Sequence, residues 1–243
     1  MMWLQRGVVT AALFLVSWAS GASQEFRWEV NKPFATFTGT QEEQQAQVDA
    51  VLRNTNRINS MTMFIAADTA YVLRRVEDAG FLFHAATARA VFDLERYPPV
   101  AQGGNSPSVY VGFLSNNAGQ VINPATTERS STYSAIAKRL AAWDCSTIVG
   151  YSPGWEHRRI NSSSESCERI LDQRTAPMRE MAKLFENPEY AAAFQVVRKY
   201  NLSSYKERND LKAKTNRDAA FATMVEIETR MGIKGFAAFT PPR

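Results

Sequence analysis

The sequence is short of the residues on which most enzymes depend. Its 243 residues include two histidines and two cysteines. His84 and His157 stand in no H-E-x-x-H or comparable spacing, so a zinc site would have to borrow carboxylates or thiols, and no metal is expected. There is no G-x-S-x-G nucleophile turn. The nearest small-polar stretch, 113–119, follows an inferred helix rather than a strand. Gly103-Gly104 precedes a helix but lacks the later glycine and lysine of a phosphate loop, so no nucleotide or other cofactor is expected. No apolar run reaches the roughly 20 residues that span a bilayer, which argues against stable membrane insertion.

The longest apolar run, Gly7–Trp18, follows the lone charge of Arg6 and precedes the small residues Ala19-Ser20-Gly21-Ala22. That order is the order of a secretory signal peptide, with cleavage expected after Ala22. The expected mature chain is a single helical domain over 23–243. It is exported, to a periplasm if the source is bacterial and otherwise secreted. At 45% hydrophobic, 11% aromatic and 21% charged residues, it has the composition of an ordinary globular chain with a sizeable core.

Charge of one sign is also scarce. The whole chain carries a net +4, too small an excess to point to nucleic acid. The imbalance gathers in one place: Arg198, Lys199, Lys206, Arg208, Lys212, Lys214 and Arg217 stand against only Glu207 and Asp210. Such runs commonly face water, and the alternative is that this one helps to hold another protein.

In an oxidising compartment an isolated pair of cysteines normally bonds, so Cys145 and Cys167 are expected to form a disulfide. Closing an interval of this size stabilises by about 3 kcal/mol. A catalytic thiol or metal pair would need further ligands, for which His157 is the one candidate in the interval.

The chain reads as helices joined by punctuated loops, and the fold class as all-α, with seven or eight helices in a bundle or an irregular orthogonal array. Ser106-Pro107, Asn123-Pro124 and Asn187-Pro188 each pair a capping side chain with a proline that loses nothing at the first helical position, and each is expected to start a helix. Apolar spacing follows Asn123-Pro124 at Tyr133, Ile136, Leu140 and Trp143, and follows Asn187-Pro188 at Ala191, Phe194 and Val197. Helices are also expected over 41–53, from Thr175 to Phe185, and from Asn216 to Met231 before Gly232. The stretches 60–79 and 81–97 read as two helices hinged at Gly80 and stopped at Pro98-Pro99. Extended structure is expected only in a short N-terminal arm, Phe26 to Val30.

Three groups of residues invite a functional reading. Asp68 falls in the apolar stripe of its helix, where an unpaired carboxylate is costly; an antiparallel hairpin about Gly80 would bring it to Arg89 or Arg96 as a buried ion pair. His84 shares a face with Phe81, Ala85 and Ala88 and is expected in the core. Between the cysteines, Tyr151, Trp155, His157, Arg158 and Arg159 flank a Pro153-Gly154 turn, and they are the types that dominate interface energetics. The two aromatics either project as a stapled binding loop or fold back to plug the end of the bundle.

The expected function is therefore that of a non-enzymatic binding protein holding another protein, in the form of an inhibitor or immunity-type partner. Two alternatives stand beside it. One is a helical glycan hydrolase drawing a pair of carboxylates from Glu77, Asp78, Asp144 and Glu156. The other is a small-molecule or lipid carrier with a cavity among Met61, Phe64, Phe81, Phe83 and Phe92. Asn161 and Asn201 are glycan acceptors only in a eukaryotic secretory route.

Overall fold

A computed structural model describes residues 37–239. The signal peptide expected over 1–22 and the extended arm expected at Phe26–Val30 lie outside the described residues. Within them the chain is all-α, with eight helices of twelve residues or more and no strand. These are α1 (Gln41–Arg53), α2 (Ser60–Val72), α3 (Val76–Arg96), α4 (Pro107–Thr126), α5 (Ser130–Ala141), α6 (Cys167–Phe185), α7 (Pro188–Leu202) and, after the one-turn α8 (Tyr205–Arg208), α9 (Leu211–Met231). A last turn, α10 (Phe236–Phe239), follows.

Local chemistry explains most boundaries. Thr40 and Glu43 form a reciprocal capping box that starts α1. Asn187 accepts from the backbone N–H groups of Glu189 and Tyr190, with Pro188 in the first turn of α7. Ser106-Pro107 starts α4 as expected, although the Ser106 hydroxyl pairs with Ser108 rather than with a backbone donor. Gly232 closes α9 with a left-handed φ of 65°.

Four boundaries differ from expectation, the first being the start of α9, which Asp210 caps at Leu211, five residues ahead of Asn216. Asn123-Pro124 starts no helix; it lies in the last turn of α4, and α5 begins only at Ser130. The helix expected from Thr175 begins a full two turns earlier, at Cys167, where Ser166 caps it, and it runs through Pro177. Gly80 is not a hinge but sits within the first turns of α3. The reversal falls instead at Leu73–Arg75: the N–H of Arg75 bonds back to the carbonyl of Ala70, and Arg74 takes the left-handed conformation, φ 63°, that glycine usually fills. The guanidinium of Arg75 then ties this turn to Asp49 of α1 at 2.6 Å and to Asp78 of α3 at 2.8 Å.

What Gly80 does is admit its neighbours. A Cβ there would collide with the methyls of Ile136 on α5 and Thr126 on α4. α2 and α3 form the central hairpin of the larger apolar core, against which α1, α4, α5 and the first part of α6 pack. A second cluster gathers Leu184 and Phe185 at the end of α6 with Tyr190, Phe194, Phe221, Met224 and Ile227 of α7 and α9. α6 thus runs from one cluster into the other, and Tyr133 touches both.

Candidate functional site: the disulfide-closed loop

The expected disulfide is present, joining Cys145 just after α5 to Cys167 at the start of α6, with the Cα atoms 5.9 Å apart. Between α5 and α6 the chain runs through 142–166 with no helix or strand. Connections beyond about 12–15 residues without regular structure are uncommon in compact folds and commonly carry function.

This one is pinned to the C-terminal end of α3 along its length. The N–H of Asn161 donates to the carbonyl of Arg96 at 2.7 Å, that of Arg158 to Pro98 at 3.2 Å, and that of Val100 to Glu156 at 3.0 Å. Pro99 and His157 form a single antiparallel bridge, with the His157 ring edge-on to Tyr97. Arg96 donates to the carbonyl of Asn161 at 2.9 Å. The indole N–H of Trp155 donates to the carbonyl of Tyr97 at 2.8 Å, and the hydroxyl of Tyr151 reaches both carboxylate oxygens of Asp93 at 2.7 and 2.8 Å. Of the two readings open for Tyr151 and Trp155, the geometry is the inward one: both rings pack against the core. Arg158 and Arg159 remain exposed, and His157 is half-buried.

Beneath Tyr151 lies the most unusual local chemistry in the molecule. Arg89 and Asp93, one turn apart on α3, are both fully buried. The guanidinium of Arg89 is ringed by Tyr151, Trp143 and Phe92, with ring centroids 5.3, 5.5 and 6.0 Å away, and the aromatic faces supply part of what water would. Among the described residues its only hydrogen bond is a long one, 3.4 Å, to the carbonyl of Thr55, and Nε and Nη1 have no partner there. Burial pushes the Asp93 carboxyl up to about 7, against the pull of the Arg89 charge and the Tyr151 hydroxyl, which favour the ionised form. Arg89 acts on it through space rather than through a direct bond. Ser60, at the first position of α2, also faces this carboxyl and favours its charged form. The group locks the loop to α3 and, being fully buried, meets no solute.

The expected pairing of Asp68 with Arg89 or Arg96 is not formed. Asp68 is exposed on α2, Arg96 is taken by the loop, and the carboxylate near Arg89 is Asp93. A hairpin closing at 73–75 rather than at Gly80 shifts the register of α3 against α2, which removes the equidistance that placed Asp68 beside either arginine. The signal for Asp93 was its i, i+4 spacing from Arg89. His84 is mostly buried beside Phe83, and burial pushes its imidazole down to about 4.

Three of the four acids nominated for a hydrolytic pair are engaged by other groups. Glu77 and Asp78 both reach Arg139, at 3.4 and 2.9 Å, while Asp144 accepts from the N–H of Ser146 and Glu156 is exposed. Phe64 and Phe83, from the nominated carrier cavity, pack edge to face at 5.9 Å, and all five of its residues are buried in the main core. Among the described residues no three His, Cys, Asp or Glu side chains gather as a metal site would require, and no helix is long and apolar enough to cross a membrane. Neither a protein-family model nor a curated protein nor a solved structure matches the chain. An all-α fold with one internal disulfide, of the kind that persists in oxidising compartments, is the class the molecule belongs to.

Proposed function

We propose that the protein is an exported, non-enzymatic helical binding protein that holds another protein, in the manner of an inhibitor or immunity-type partner, and that the outward side of the 142–166 loop makes the contact. The observation that carries this reading is the pairing of rigidity with exposure. The loop has no regular structure yet is tied by a disulfide and by hydrogen bonds to α3, while Val149, Arg158, Arg159 and Ile160 point to solvent. A segment already ordered loses little entropy on binding, and arginine beside exposed aliphatic side chains suits a protein surface. Binding is favoured over glycan hydrolysis because two of the nominated acids share one arginine and a third is engaged by a backbone N–H. It is favoured over a carrier because the proposed lining residues pack on one another.

The test is capture from native exported fractions with the oxidised chain as bait, compared with the R158E/R159E and V149D variants. A single stoichiometric partner retained by the parent and lost at least ten-fold by the variants, with thermal melts unchanged, is the expected result. Equal capture by all three baits would refute the loop as the contact surface. Release of glycan fragments or co-purification of a small molecule, with no protein recovered, would replace the binding reading altogether.

A further inference from the structure

The basic stretch singled out in the sequence forms the tip of a helical hairpin. α7 and α9 pack side by side, and α8 caps the turn between them. The tip is built rather than loose. The Tyr200 hydroxyl donates to the carbonyl of Arg208 at 2.8 Å, the Ser203 hydroxyl donates to the carbonyl of Tyr200, and Arg217 lies over the Tyr200 ring at 5.1 Å.

Both acids of the stretch are turned inward on the backbone. Glu207 accepts from the N–H and hydroxyl of Ser204 in the capping box of α8, and Asp210 accepts from the N–H of Ala213 to cap α9. Each carboxylate is therefore held against the positive end of a helix. Lys199, Lys206, Arg208, Lys212 and Lys214 are all exposed, and none makes an ion pair among the described residues. Among these cations stand three of the most exposed apolar side chains of the molecule: Leu202 at 64%, Tyr205 at 76% and Leu211 at 78%.

The geometry points to this tip as a peripheral docking site for an anionic phospholipid surface, with Leu202, Tyr205 and Leu211 entering the headgroup layer and the five cations facing lipid phosphates. The charge of the tip is complementary to such a surface. Separated apolar side chains at the convex end of a hairpin suit a deformable interface, where Tyr is at home, better than the matched concave pocket a protein partner would have to supply. Attachment of this kind is shallow and reversible. It is independent of the protein-binding reading of the 142–166 loop, which lies against α3.

The test is sedimentation of the chain from Ser23 onward, which keeps every described element and omits the apolar run 7–18, with vesicles of pure phosphatidylcholine and of equal parts phosphatidylcholine and phosphatidylglycerol. Binding is expected to the anionic vesicles only, and to weaken with salt. Each basic side chain replaced in the K206Q/R208Q/K212Q variant should lower it about five-fold. The L202S/L211S variant should also lose binding, and a Y205W variant should shift its emission to shorter wavelength on anionic vesicles. Failure to sediment with anionic vesicles, or an unshifted emission, would overturn the assignment. So would binding of soluble polyglutamate that is as tight as vesicle binding and indifferent to L202S/L211S, since this would make the tip a site for an acidic chain instead.

Discussion

Arg89 and Asp93 show how a costly pair of residues can organise a fold. Two ionisable groups fully out of water are tolerated only because aromatic faces surround the cation and Tyr151 donates to the carboxyl. The arrangement is specific, since few side chains other than Tyr151 would supply both a ring for Arg89 and a donor for Asp93. Y151F keeps the ring and removes the donor. It is expected to destabilise the protein by about 1–3 kcal/mol, the cost of stranding a buried polar group, as read from urea melts. Stability unchanged from the parent would mean that water replaces the hydroxyl and that the loop is not locked there. The sequence offered Arg89, beside Arg96, as a candidate partner for Asp68, but the carboxylate that lies near Arg89 is Asp93. The choice between Asp68 and Asp93 depended on hairpin register, which neither residue encodes.

At the scale of elements, the α2–α3 reversal separates what glycine signals from what the backbone needs. Glycine is read as a turn because it tolerates left-handed backbone; in this chain Arg74 occupies that conformation, and Gly80 is required for close packing instead. Opposite effects follow for two single substitutions. R74G should be neutral to stabilising by up to about 1 kcal/mol, because the left-handed conformation penalises any Cβ. G80A should cost about 1–3 kcal/mol through overpacking against Ile136 and Thr126. Thermal melts of the two variants check the pair, and stabilisation by G80A would show that α3 can move away from α4 and α5. A similar device closes the second cluster: Glu228 accepts from the N–H groups of Gly235 and Ala237 and from the Tyr190 hydroxyl, fixing the chain after α9. α4 has an unusual surface, since the chain carries no Asp, Glu, Lys or Arg from 97 to 127, yet Val109 and Phe113 face solvent. That uncharged run was visible in the sequence. Its exposure was not, because an apolar helix of this length reads as buried until its neighbours are placed.

For the molecule as a whole, two buried groups set opposite dependences of stability on pH. Asp93 is raised to about 7 from an ordinary value near 3.8, so the folded protein holds a proton that the unfolded chain has lost. Its contribution is complete below about 4 and disappears as pH rises through 7. His84 is lowered to about 4 from 6.5, so its contribution is complete above 6.5 and disappears as pH falls toward 4. Between pH 4 and 6.5 the two slopes oppose one another. Removing either should expose the other: H84Q should lose stability as pH rises from 4 to 7, and D93N should gain it from 4 to 6.5, each by about 1.4 kcal/mol per unit at most. Denaturant melts across that range read the slopes directly, and identical profiles for parent and both variants would show that neither group titrates as its burial implies.

Sequence alone determined those features that depend on short-range chemistry. The all-α class, the start of α4 at Ser106-Pro107, the capped start of α7 at Asn187, the stop at Gly232 and the Cys145–Cys167 bond all follow from terminal residue types, periodicity and the presence of two cysteines. It also located the interval between the cysteines and the basic stretch 198–217, on which the functional proposals rest. Tertiary structure decided the rest, because each remaining question concerned groups distant in the chain. It turned Tyr151 and Trp155 inward onto α3 and left Arg158 and Arg159 outside. It replaced Asp68 with Asp93 beside Arg89, and it brought Leu202, Tyr205 and Leu211 to a single basic tip. Side-chain type constrains what a residue can bond, whereas only the packing of helices determines which partner is within reach and which face is left to water.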